Sequence, residues 1–163
     1  MTTISEGAEL PAATLLAMGE KGAEPVDLKA RLRGRRVVIF GLPGAFTRTC
    51  TAAHVPSFIR TKPGFDAKGV DEIICVAVND PFVMKAWGES TGAAAAGITM
   101  LGDADASFTK AIGMAFSAPA IGFFDRSKRY SLYAEDGVVK QLNLEESPGA
   151  CEISAGETLL GQL

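Results

Sequence analysis

Arg36-Val37-Val38-Ile39-Phe40-Gly41-Leu42-Pro43-Gly44 is the stretch on which the fold turns. Val37, Val38, Ile39 and Phe40 form an apolar run without alternation that breaks at Gly-Leu-Pro-Gly, the pattern of a buried strand emptying into a loop. A helix is expected next: from about Cys50 to Arg60, Val55, Phe58 and Ile59 fall on one side, and Pro56 predicts a kink. Glu72 to Val78 is a second run of this kind, and Asn79-Asp80-Pro81 then supplies an N-cap and a first-turn proline for a helix through Trp87.

The order strand, helix, strand, helix continues downstream. Gly92 to Gly97 ends the helix and connects to a short strand, Ile98 to Gly102, and Asp105 is expected to cap a helix running from Ala106 to Gly113. Ile121 to Phe124, Arg129 to Glu135 and Val138 to Leu144 then read as strands, the last two joined by the hairpin dipeptide Asp136-Gly137. Ser154-Ala155-Gly156-Glu157 has capping-box spacing and opens a final helix to about Leu163. With no repeat and no linker, residues 1–163 read as one α/β domain: a mixed central sheet flanked by helices on both faces, the order of a thioredoxin-like fold.

Composition narrows the function classes. The 163 residues are 47% hydrophobic and 21% charged, as in an ordinary globular protein. Sixteen Lys+Arg against nineteen Asp+Glu leave a charge of -3, and the only basic run, Arg31, Arg33, Arg35 and Arg36, precedes a strand and reads as a solvated turn. No nucleic-acid partner is expected. Met1 to Glu9 lacks the features of a secretory signal and no apolar run could span a bilayer, so a cytoplasmic protein without membrane association is expected. Cys50, Cys75 and Cys151 are odd in number, which argues against a disulfide framework, and with His54 they have no paired metal-ligand spacing. Neither metal nor cofactor is expected.

Chemistry concentrates in Pro43-Gly44-Ala45-Phe46-Thr47-Arg48-Thr49-Cys50, between the end of a buried strand and a helix. A cysteine in a first helical turn meets unpaired backbone N–H groups and the positive end of the helix dipole, which favour a thiolate and can hold an anion or a peroxide. Thr47 has a hydroxyl able to donate and accept at once, suited to orienting a hydroperoxide, and Pro43 fixes the loop and shields the sulfur from water. Thr47 and Thr49 are equally suited to capping. His54, four residues after Cys50 and on the same face, invites a Cys-His hydrolase reading. Such dyads draw their base from a separate element, so His54 reads instead as a packed, hydrogen-bonded residue behind the pocket. Phe46, Phe82, Trp87, Phe108, Phe116 and Phe124 read as core or subunit contact.

The run resembles the peroxiredoxin signature P-x-x-x-T-x-x-C, and the wider string PGAFTRTCTAAHVPSF is similar to the type-five subfamily, which includes the plant type II enzymes. The resemblance continues through CVAVNDPFVMKAWGE, LGDADASFTKAIG and RSKRYSLYAEDGVVKQLNLEE to the end of the chain. It departs at Arg48, where the family often has proline, and at Ser57, where it often has glycine. The resemblance implies a thioredoxin-like fold and a pocket of Pro43, Gly44, Phe46, Thr47, Thr49 and His54 around Cys50. It also implies an arginine that completes the site at Arg129, a choice that residue type alone does not make over Arg126. The implied activity is reduction of hydrogen peroxide and small organic hydroperoxides at Cys50 through a sulfenic acid, regenerated by glutathione/glutaredoxin or thioredoxin, in a homodimer. A peroxide sensor or thiol-switched binding module using the same sulfenate is the rival reading.

Resolution of that sulfenic acid stays open at this point. Cys75, mid-strand, is not expected to reach Cys50, whereas Cys151 follows Ser147-Pro148-Gly149-Ala150 in a loop where mobility and exposure favour attack. In the subfamily a C-terminal resolving cysteine lies about two positions later, at Ile153 here; plant-like members lack it and some have one matching Cys75. An external thiol is therefore the expected main route, with Cys151 a minor one and Cys75 structural.

Overall fold

The structure, a computed structural model, describes residues 2–163. Seven strands form the main sheet, in the order β2 (Gly22–Asp27), β1 (Thr14–Gly19), β5 (Thr99–Gly102), β4 (Glu72–Ala77), β3 (Arg36–Gly41), β8 (Tyr130–Glu135) and β9 (Val138–Leu144). Its centre is parallel: β3 (Arg36–Gly41) pairs with β4 (Glu72–Ala77), and β4 with β5 (Thr99–Gly102). The two crossovers carry α2 (Val55–Ala67) and α3 (Pro81–Thr91). On one side β8 (Tyr130–Glu135) pairs antiparallel with β3 and forms a hairpin with β9 (Val138–Leu144). Asp136 and Gly137, with φ of 49° and 77°, make the turn that this dipeptide predicts.

On the other side β1 (Thr14–Gly19) and β2 (Gly22–Asp27) add an antiparallel hairpin, followed by the short α1 (Leu28–Leu32), and none of the three is among the predicted elements. Strand period two divides the core between the two faces. Val38, Phe40, Ile73 and Cys75 pack with α2 and α3 on one face, and Val37, Ile39, Ile74 and Val76 with Leu28, Leu32 and Phe108 on the other. Cys50 lies in the first of these clusters, so Cys75 belongs to the core layer behind it.

Several expectations need correction. Cys50 to His54 is a π-helical turn ahead of α2, with the Val55 N–H donating to the Cys50 carbonyl. Pro56 would clash with a carbonyl four residues back in a regular helix, and the widened turn accommodates that conflict. The capping box does not form: the Ser154 hydroxyl donates to Glu145, and the first N–H of α5 (Gly156–Gly161) donates instead to Ser57 Oγ of α2, 2.9 Å away. Gly156 permits that approach, since a Cβ there would fall against Thr61 and the Ser57 backbone.

The helix α4 spans Ser107–Ala111, and although Asp105 accepts from the Ser107 N–H, the buried Asp103 takes the Phe108 and Thr109 N–H groups at 3.2 and 2.7 Å. Ile121 ends a 3-10 turn (Pro119–Ile121), and the strand is β7 (Phe123–Ser127), paired with β6 (Ala115–Ala118) in a separate ribbon. The basic run is not simply solvated. Arg31 and Arg35 both bond the Glu72 carboxylate, which also accepts from Thr99. Burial works to raise the Glu72 acid, but these donors outweigh it and hold it below the usual carboxylate range.

Candidate active site

β3 delivers the chain into the Leu42–Thr47 loop at the carboxyl end of the sheet, and the helical turn that follows places Cys50 at its start. The Thr51 N–H donates to the Thr47 carbonyl, so Thr47 is the last residue before the helix. Cys50 is completely buried, and Arg129, just ahead of β8 and 2% exposed, donates from Nη2 to its sulfur at 3.2 Å. A buried guanidinium at this distance supplies positive charge beside the sulfur, where an oxygen leaving group would develop negative charge.

Arg129 is held on all sides. Its Nε donates to the Pro148 carbonyl at 3.1 Å, and its Nη1 donates to His54 Nδ1 at 3.0 Å. That pairing leaves the His54 proton on Nε2, which donates to the Ser154 carbonyl at 3.1 Å. Burial, reinforced by the adjacent Arg129 charge, pushes His54 down to about 3. A neutral imidazole that accepts from Arg129 orients the guanidinium and does not act as a base toward Cys50. The packed role expected for His54 thus agrees with its geometry, including rings of Phe40 and Phe58 at 5.0 and 5.6 Å.

A cavity of about 380 Å³ opens beside this cluster, lined by Pro43, Thr47, Thr49 and Arg129 together with Arg48, Phe116, Ile121, Phe123 and Pro148. The Thr47 hydroxyl donates to the Gly44 carbonyl at 2.7 Å, which leaves its lone pairs as acceptors. Gly44 is buried, and a Cβ there would strike Arg126 Nη1, which donates to the Pro43 carbonyl at 3.0 Å. Arg126 therefore fastens the Pro43 loop while Arg129 reaches the sulfur, which separates two arginines that residue type could not. Thr49 donates to the Gly149 carbonyl at 3.0 Å. Phe46 is 57% exposed with a φ of 62° and does not line the cavity.

The other cysteines behave differently. Cys75 is fully buried, and burial, with the nearby Cys50, pushes its thiol well up. Cys151 is half-buried and also raised, mainly by burial, so its exposure is lower than its loop position suggests. That loop is tied down: Glu145 accepts from the Glu152 and Ser154 N–H groups and from the Ser154 hydroxyl at 2.8, 2.7 and 2.6 Å. Burial opposes the Glu145 charge, yet these donors keep the acid below its ordinary range. The carbonyls of Pro148, Gly149 and Ser154 are the parts of the site that sequence reasoning missed. Backbone groups have no residue signature, and the Pro148-Gly149 turn is the only local hint. No cluster of three metal-ligating side chains occurs among the described residues.

Residues 5–160 match the family model described as Redoxin. Over 167 aligned residues the chain is 45% identical to the chloroplastic peroxiredoxin-2E-2 of Oryza sativa subsp. japonica, covering 100% of this chain and 74% of that one. The mitochondrial peroxiredoxin-2F of Arabidopsis thaliana is 46% identical over 80% of this chain and 65% of its own length. The chain belongs to the peroxiredoxins, in the type-five, plant type II-like branch. Among solved structures, reduced Prx3 of Vibrio vulnificus in complex with hydrogen peroxide superposes with a TM-score of 0.92 at 44% identity, over 98% of this chain and 99% of that one. The thioredoxin-like fold of this peroxiredoxin follows from that agreement, and its class is that of a thiol peroxidase.

Proposed function

We propose that residues 1–163 act as one domain in which Cys50 reduces hydrogen peroxide and small organic hydroperoxides. The observation that carries this reading is the 3.2 Å donation from buried Arg129 to the Cys50 sulfur, beside an open cavity that Arg129 itself lines. In the proposed step the thiolate attacks the terminal peroxide oxygen, the O–O bond breaks, and the sulfur takes the hydroxyl as a sulfenic acid. The other oxygen departs as hydroxide or alkoxide and takes up a proton to leave as water or alcohol. Arg129 stabilises the charge on sulfur and then on the departing oxygen, and Thr47 accepts from the peroxide hydroxyl.

We assign regeneration to an external thiol, glutathione with glutaredoxin before thioredoxin. The half-buried, tethered and raised Cys151 and the buried Cys75 support this, because both are poor attacking thiols without rearrangement of the chain. One thiol condenses with the sulfenic acid to a mixed disulfide and water, and a second releases Cys50 and leaves as the disulfide. The exposed Phe46, Ile121 and Phe124, at 57, 67 and 65%, support a homodimer, and the cytoplasm is the proposed location. No helix among the described residues is long and apolar enough to cross a membrane.

Steady-state consumption of peroxide with glutathione/glutaredoxin and with thioredoxin as parallel reductants tests this. Sustained turnover with the former is expected. A single oxidation per subunit with either would favour the sensor reading.

A further inference from the structure

The cavity beside Cys50 is far larger than hydrogen peroxide needs. At about 380 Å³ it holds on the order of ten water volumes. Its walls, Pro43, Phe116, Ala118, Ile121, Phe123 and Pro148, offer carbon to whatever fills it. The polar side chains among the lining residues are Thr47, Arg48 and Thr49 at the helix start and Arg129 ahead of β8, and the charged ones are Arg129 and Arg48. Arg129 is committed to the sulfur, His54 and Pro148. Arg48 is exposed at the first helical position, and among the described residues no carboxylate lies within ion-pair distance of it. No acidic side chain lines the cavity. An open apolar cleft that reaches Arg129, the partner of the reacting sulfur, and has an uncommitted guanidinium among its lining fits an amphipathic anion better than a neutral molecule.

Resting on the peroxidase reading above, we propose that this site selects hydroperoxides that combine a hydrocarbon body with a carboxylate, as in a hydroperoxy fatty acid, and that Arg48 is the residue that selects them. The hydrocarbon displaces water from the walls, the hydroperoxide meets Cys50, and the carboxylate pairs with Arg48 while remaining partly solvated. The chemical step is the one already written, with the hydroxy acid as leaving product.

The test compares second-order rate constants for oxidation of Cys50 by a medium-chain hydroperoxy carboxylic acid and by its methyl ester, at low and high salt. The readout is the acid-to-ester ratio within each variant, so that any general loss of activity cancels. The wild-type ratio should be about threefold at low salt, the size an exposed ion pair provides, and should shrink as salt is added. Arg48→Lys should retain it, Arg48→Gln should bring it to about one, and Arg48→Glu should invert it. A wild-type ratio of one, or a ratio that survives in Arg48→Gln, overturns the assignment of Arg48. If the wild type oxidises with hydrogen peroxide but shows no preference, only this inference fails; if no peroxide oxidises Cys50, the peroxidase reading fails first.

Discussion

Arg129 touches the sulfur, the imidazole and a loop carbonyl at once, so its removal reaches beyond a lost charge. Arg129→Ala should slow sulfenic acid formation by roughly a hundred- to a thousandfold, the usual cost of losing a preorganised donor at a developing oxyanion, and should slow alkylation of Cys50 at neutral pH. Stopped-flow oxidation and iodoacetamide kinetics check both, and unchanged alkylation would remove Arg129 from the sulfur. Thr47→Val should lower the oxidation rate with less effect on alkylation, because its hydroxyl is proposed to accept from the peroxide, whereas it makes no bond to the sulfur and donates to the Gly44 carbonyl. The residues within Pro43–Cys50 were legible in the sequence because they lie on one strand-loop-helix unit whose spacing is local. Arg129 was not legible in that way. What distinguishes it from Arg126 is where the chain turns between β7 and β8, a tertiary fact, and only the family resemblance supplied it.

The elements around the site lean on one another at their ends. Ser57 accepts from the Gly156 N–H and donates to the His54 carbonyl, so it joins the start of α5 to the π turn that bears Cys50. Ser57→Ala should cost about 1 kcal/mol, as loss of an N-cap does, and lower the melting temperature by about 2–4 °C for a chain of this size. Calorimetry checks this, and Ser154→Ala, which removes the residue of the unformed capping box, should leave the α5 amides no less protected from hydrogen exchange than Ser57→Ala does. Strands β3, β4, β5, β8 and β9, the Asp136-Gly137 hairpin and the order of crossovers follow from periodicity and turn chemistry because those signals are local, whereas β1, β2 and β6 lie outside the predicted elements. Capping spacing misled at Ser154, since the Glu145 carboxylate competes for its hydroxyl and sequence distance does not register that competitor. The π turn was equally hidden: Pro56 announces a conflict in the helix but not how the backbone resolves it.

Across the whole molecule, three buried ionisable groups pull stability in the same direction with pH. The unfolded chain protonates His54 near 6.5 while the folded one keeps it neutral to about 3. Below 6.5 the unfolded state therefore takes up a proton that the folded state refuses, and stability falls as pH drops through that window. Glu72 and Glu145, both lowered from 4.5, add their loss only below that value. Urea denaturation at stepped pH should show a slope near one proton, about 1.4 kcal/mol per pH unit, between these onsets, and His54→Asn should abolish it. A slope that survives the substitution would place the titrating group elsewhere. Cys50 is proposed as the thiol that peroxide meets first, even though it is completely buried and two other thiols are present. The most direct measurement is the mass of the intact chain after one equivalent of hydrogen peroxide, with a sulfenic-acid trap present and the adduct located by peptide mapping. One trap per chain on the peptide bearing Cys50, and none in Cys50→Ser, is the expected result; an adduct on Cys151, or trapping that persists in Cys50→Ser, would contradict it.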